Sequence, residues 1–142
     1  MKVFIDTNIF LDYIQKRAVG FEEANKIFEL AAKNCITMLV SDLTIANTKY
    51  TTRRIIPLKD FYETITDLRE LFTITGIGAE AVDKALAIKA RDFEDALQYF
   101  AAEQADADCI ITRNIKDFIF ANTVKVLEPK AFIESYFPEE LQ

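Results

Sequence analysis

The stretch Lys2-Val3-Phe4-Ile5-Asp6-Thr7-Asn8 decides the fold. Its first four residues form a β-rich run that stops abruptly at an acid, a hydroxyl and an amide. These residue types favour turns and helix starts over strand ladders. Over residues 9–15 the apolar spacing turns helical. A strand that ends on polar residues and feeds a helix is the repeating unit of an α/β sheet.

Working outward, the rest of the chain repeats that unit. Residues 21–33 carry Phe21, Ala24, Ile27, Phe28, Leu30 and Ala31 at helical spacing. Ile36-Thr37-Met38-Leu39-Val40 reads as a second strand, and Ser41 as the N-cap candidate for a helix over 43–54 with a polar, basic end. Pro57 stands at a favoured first-turn position of the next helix, whose buried face is marked by Phe61, Ile65, Leu68 and Phe72. Residues 72–75 form a short strand, and Gly76-Ile77-Gly78 turns the chain out of it. Helices over 79–90 and 93–104, strands over 108–112 and 124–127, and a last helix from Pro129 through Tyr136 complete the pattern. The alternation predicts an α/β protein with a largely parallel five-stranded sheet covered on both faces. No internal repeat, low-complexity tract or Gly/Pro/Ser linker interrupts it, so residues 1–142 are expected to form one domain.

Composition narrows the chemistry. The chain is 51% apolar and 28% charged, ordinary globular usage, with twelve Phe and no Trp to build its core. No apolar run is long enough to span a membrane, and Asp6 and Asp12 interrupt the early apolar segment that a signal peptide would need. Cys35 and Cys109 both read as small buried hydrophobes, so a reduced, cytoplasmic protein is expected. Histidine is absent, which excludes His-based triads, imidazole bases and most zinc sites. Hydrolytic chemistry must therefore run on carboxylates, hydroxyls, lysines or metals. The net charge of −6 argues against a protein that coats nucleic acid. It is compatible with a nuclease, because a carboxylate metal site is acidic until ions arrive.

In open parallel sheets ligands bind outside the C-terminal strand ends, where the strand order reverses. Asp6 follows the first strand directly, and Thr112-Arg113-Asn114 follows the fourth. Asp95 lies in the first turn of the helix that feeds the fourth strand, and Asp117 sits one turn past Asn114. Each has a plainer explanation. Asp6 suits an Asx-turn or N-cap, Asp92 suits an N-cap with Asp95 near the positive helix end, and Asp117 suits a solvated loop. The functional case rests on several acids converging at one switch point. For substrate contact, Lys49, Arg53 and Arg54 cluster at the end of the third helix, Arg113 lies beside the site, and Tyr50 is placed to stack on a base. Cations also suit a helix C-terminus for purely electrostatic reasons.

Three blocks carry a family resemblance. Val3-Phe4-Ile5-Asp6-Thr7-Asn8 resembles the opening of PIN (PilT N-terminus-like) domains. Phe93-Glu94-Asp95-Ala96-Leu97-Gln98 with Ala101-Ala102 is similar to that family's central Asp-Ala helix. Asp108 through Asp117-Phe118 is similar to its closing strand and Thr-Arg-Asn/Asp loop. The resemblance implies a three-layer α/β/α sandwich with strand order 3-2-1-4-5. It implies a VapC-like, Mg²⁺- or Mn²⁺-dependent endoribonuclease, often the toxin of a toxin–antitoxin pair, with RNA as substrate, a small antitoxin as partner and a homodimer as the common assembly. Catalytic roles then fall to Asp6, Asp95 and Asp117, and metal ligation to Asp6, Asp95, Asn114 and Asp117. Asn8, Asn47 and Thr112 support them, and Lys49, Arg53 and Arg113 would bind substrate.

The chain departs from the family at two acids. Ser41, Thr44 and Asn47 fill a Ser-x-x-Thr-x-x-Glu pattern with an amide in place of the Glu, and Asn114 stands where an Asp is usual. Asn oxygens ligate without contributing charge, so a second metal position is expected to be weakened most. Asp42 and Glu94 are the nearby acids available to supply the missing charge. A different class is also consistent with these amides: a PIN-fold binding module that has lost cleavage. Two other early-Asp folds fit poorly. Haloacid-dehalogenase-like phosphatases want a second Asp where Asn8 stands, and response-regulator receivers want an acid after the third strand, which here runs into Thr75-Gly76-Ile77-Gly78.

Overall fold

A computed structural model describes residues 1–141. Five strands form one sheet: β1 (Lys2–Ile5), β2 (Thr37–Ser41), β3 (Phe72–Thr75), β4 (Cys109–Ile111) and β5 (Lys125–Leu127). Their order is β3-β2-β1-β4-β5, and all four pairings are parallel. Seven α-helices surround it among the described residues: α1 (Thr7–Ile14), α2 (Phe21–Ala32), α3 (Asp42–Thr52), α4 (Leu58–Leu68), α5 (Gly78–Ile88), α6 (Phe93–Gln104) and α7 (Pro129–Tyr136). Three consecutive strands build outward from β1 in one direction, and β4 then starts on the other side. The order therefore reverses between β1 and β4, where a crevice opens.

Alternating side chains of β1 seed two cores. Val3 and Ile5 face Ile9, Phe10, Ile27, Phe28 and Phe132, while Phe4 faces Leu39, Tyr99, Ala101 and Ile110. These three of the four β1 side chains are fully buried, as expected for a central strand with helices on both sides. Truncating Phe4 to Ala would cost about 3–5 kcal/mol, the range for a large core aromatic. On one face Tyr13 stacks on Phe28 at 3.7 Å between centroids, joining α1 to α2. On the other, the Tyr99 hydroxyl accepts from the backbone N–H groups of Asn122, Thr123 and Val124 at 2.9–3.2 Å, which folds the loop after β4 back onto α6.

Most expected elements stand within two residues of their sequence-based limits, with three differences of substance. Cys35 is exposed, not buried: it lies in the turn after α2, where Asn34 adopts φ +61°, and Ile36 enters the core in its place. Cys109 is buried as expected, and burial pushes its thiol up to about 12. Pro57 precedes the first residue of α4 instead of occupying it, and only Phe61 of that helix is fully buried, with Ile65 and Leu68 partly covered.

Candidate active site at the β1 and β4 strand ends

Asp6 closes β1 and caps α1. Its Oδ1 accepts from the Thr7 N–H at 2.8 Å, so the turn-and-cap explanation of this residue holds. That does not exhaust its contacts. Oδ2 accepts from the Thr112 hydroxyl at 2.8 Å, across from the end of β4, and Oδ1 accepts more weakly from the Gln98 amide at 3.4 Å. Asn8 donates to both Thr112 Oγ1 (3.3 Å) and Asp6 Oδ2 (3.5 Å). Thr112 Oγ1 in turn accepts from the Asn114 N–H at 3.1 Å, fixing the loop after β4 to the same centre.

The α6 N-terminus brings in the other acids. Asp92 is its N-cap, accepting from the Asp95 N–H at 2.9 Å, and Glu94 and Asp95 occupy the first turn. Carboxylate oxygens of Asp92, Asp95 and Asp117 lie within 4.8 Å of one another. A cleft of about 230 Å³ is lined by Asp6, Asp92, Glu94 and Asp95 together with Asn8, Asn47, Gln98 and Asn114. Asn47 Nδ2 reaches Glu94 Oε2 at 3.5 Å, so α3 and α6 meet across the cleft.

Crowding shows in the proton affinities. Burial, followed by the charges of Asp6, Asp92, Asp117 and Glu94, pushes Asp95 up to about 8. Asp6 is also raised, mainly by burial, although bonds from Thr112, Thr7 and Gln98 pull the other way. Among the described residues no Lys or Arg forms an ion pair with Asp6, Asp92, Glu94, Asp95 or Asp117. Several acids share a small volume without a cation to offset them, and every available donor is an oxygen or an amide. That donor set fits a hard divalent ion such as Mg²⁺ or Mn²⁺.

The sequence-derived residues divide cleanly. Asp6, Asn8, Asn47, Asp95 and Asn114 meet at the cleft, Asp117 joins Asp92 and Asp95 at its rim, and Thr112 bonds Asp6 from beneath. The cations Lys49, Arg53 and Arg113 do not line it. Lys49 lies over the Phe61 ring at 5.8 Å, and Arg53 stacks on Tyr50 at 3.9 Å. Arg113 turns to the buried Asp12, donating from Nη2 to Oδ1 at 2.9 Å, with Nε 2.7 Å from Oδ2 as an ion pair outside hydrogen-bond alignment. Of the two candidate compensating acids, Glu94 lines the cleft. Asp42 does not, and instead accepts from the N–H groups of Leu43 (2.9 Å) and Ile77 (3.2 Å).

Two contributors escaped the sequence reading. Asp92 adds its carboxylate to the cluster while capping α6. Gln98 is buried, and its amide nitrogen donates to Thr44 Oγ1 (2.7 Å) and Thr7 Oγ1 (3.1 Å) while its oxygen accepts from the Ser41 hydroxyl. This ties the starts of α1 and α3 to the middle of α6 beside Asp6. Its signal was available: a glutamine amid Ala96, Leu97, Tyr99 and Phe100 on a helix buried nearly all round must find partners.

Known proteins resemble this chain in sequence and in fold. Ribonuclease VapC1 of Aquifex aeolicus (strain VF5) is 27% identical over 143 residues, covering 95% of each chain. Among solved structures, FitAcB from Neisseria gonorrhoeae superposes with a TM-score of 0.69 at 17% identity, covering 90% of this chain and 98% of that one. VapBC2 from Rickettsia felis, bound to a DNA fragment from its promoter, gives 0.67 at 18% identity, covering 89% and 97%. At such identities these two structures establish the fold alone. The family profile described as PIN domain matches residues 2–116, and with the sheet order and the acidic cleft on the same strands, the chain belongs to the PIN domain family.

Proposed function

We propose that this protein is a metal-dependent endoribonuclease acting as the toxin of a toxin–antitoxin pair. The observation that carries the reading is the uncompensated group of acids around Asp6 and Asp95 at the strand-order reversal, in a chain of this family. Similarity to a protein named a ribonuclease, and to toxin–antitoxin structures, supports RNA as substrate and a small antitoxin as partner.

Asp6, Asp95 and Asp117, with Asp92 and the Asn114 amide oxygen, would hold the ion. When bound, Mg²⁺ or Mn²⁺ supplies a Lewis acid for phosphodiester hydrolysis, acidifying water and offsetting charge that develops on the phosphate. The chain's own groups prepare that chemistry. Thr112, Gln98 and the Thr7 N–H hold the Asp6 carboxylate in one orientation before any substrate arrives. Glu94 and Asp92 place further negative charge at the cleft, beside the uncharged Asn47 and Asn114.

The test is cleavage of a mixed single-stranded RNA pool in Mn²⁺, Mg²⁺ or EDTA, comparing wild type with Asp6→Asn. Cutting that needs metal and is lost in the variant supports the proposal. A folded wild type that cuts nothing in either metal moves the reading to a PIN-fold binding module in which Asn47 and Asn114 have ended catalysis.

A further inference from the structure

Beside the acidic cleft lies a second cavity of about 510 Å³, of the size ligand sites usually have, and of opposite character. Lys89, Arg91 and Lys116 line it, and Asp117 is common to its wall and to the acidic cluster. Two of the cations are sequence neighbours of cluster acids: Arg91 precedes Asp92, and Lys116 precedes Asp117. None of the three forms an ion pair among the described residues, whereas Lys26, Lys59 and Lys130 each pair with a Glu one helical turn away. In a chain of net charge −6, three unpaired cations around one hollow are a local concentration of positive charge.

Part of the wall is apolar: Ile88 at the end of α5 and Ile119 beyond β4 contribute, with Ile119 89% exposed at the open edge. Phe120 completes it and is itself braced by Tyr99 at 5.3 Å and Phe100 at 6.2 Å. Lys89 ends α5 in the left-handed conformation (φ +52°), which starts the short connection carrying Arg91 to the α6 cap.

We infer that this basic, partly apolar cavity is a nucleotide subsite for the single-stranded RNA flanking the bond cut at the acidic cleft. Cations would neutralise the phosphates next to the scissile one, and the apolar side chains Ile88, Ile119 and Phe120 would take a base. The inference rests on the ribonuclease reading above, and it replaces Lys49, Arg53 and Arg113 as the principal strand contacts, since none of those three lines the cleft and the Arg113 guanidinium is held by Asp12.

The experiment uses a fluorescent ten-nucleotide RNA of mixed sequence, bound in EDTA so that no cutting occurs, followed by cleavage of the same RNA in Mn²⁺. Two triple variants are compared with wild type. One is Lys89→Gln, Arg91→Gln, Lys116→Gln; the other is Lys26→Gln, Lys59→Gln, Lys130→Gln, which changes net charge equally. The pocket triple should bind about 10–100-fold more weakly near 0.1 M salt. Its log–log salt slope should shrink by about 2, three phosphates at roughly 0.7 each. The control triple should change affinity less than about threefold, and melting temperatures should match in all three proteins. If wild type cuts RNA but both triples bind alike, the subsite is wrong and the nuclease stands. If wild type cuts nothing yet the pocket triple alone loses affinity, the nuclease reading fails and the RNA subsite stands. No measurable RNA binding by wild type overturns the subsite.

Discussion

Asp6 and Asp12 lie within two turns of each other at opposite ends of α1, and both are buried, yet their surroundings differ in kind. Asp12 is fully covered and meets Arg113 at 2.7 and 2.9 Å and Arg17 at 3.5 Å. Gly20 packs against it so closely that an added Cβ would sit 2.2 Å from Oδ2, at a φ of +102° that only glycine adopts readily. Asp6 has no cation. Hydroxyl, amide and backbone N–H donors surround it, with more acids beyond. One carboxylate is balanced and serves the fold. The other is oriented but left unbalanced, which costs stability and leaves a place for a cation.

The contrast makes quantitative expectations. The largest concerns Arg113→Ala, which leaves the buried Asp12 charge with only the longer Arg17 contact. Equilibrium urea unfolding should show a loss of about 3 kcal/mol, the low end for breaking a buried pair. A loss below about 1 kcal/mol would mean that Asp12 finds water and is no structural anchor.

Next comes metal itself. Manganese at about 100 times its dissociation constant should stabilise wild type by roughly 2.7 kcal/mol, read as a rise in melting temperature that EDTA reverses. Asp6→Asn should show little of this rise. An equal rise in both would place the ion elsewhere.

Restoring the acid the family usually carries should sharpen the site. Asn47→Glu should tighten Mn²⁺ by about tenfold, or about 1.4 kcal/mol, in a calorimetric titration. No change would show that Glu94 already occupies that role. The smallest effect is expected for Asp6→Asn without metal. Loss of charge relieves crowding, and Asn caps a helix about as well as Asp, so stability should stay within about 1 kcal/mol of wild type, the cost of losing such a cap altogether. A drop of 3 kcal/mol or more would put Asp6 beside Asp12 as a structural residue.

Much of the site was legible from the chain because local chemistry encodes it. An acid after a buried strand, an acid in a helix's first turn and a Thr-Arg-Asn loop are short-range features, and the structure brings all three together. The cations were the opposite case. Lys49, Arg53 and Arg113 stand near the site in sequence, but where a long side chain turns depends on which partner lies within reach. Arg113 sits between Thr112, which bonds Asp6, and the cleft residue Asn114, yet its guanidinium turns to Asp12.

By itself the sequence determined the α/β alternation, the near-continuous burial of β1 and the acidic, histidine-free chemistry. Hydrophobic period, turn residues and composition act over a few residues each. Only the tertiary structure decided that Asp92 joins the cluster, that Glu94 and not Asp42 faces the cleft, that Cys35 is outside, and that Lys89, Arg91 and Lys116 surround one hollow. These depend on how the helices and the turns between them pack over the sheet. That packing joins residues far apart in sequence, and no local pattern records the direction in which each side chain leaves the backbone.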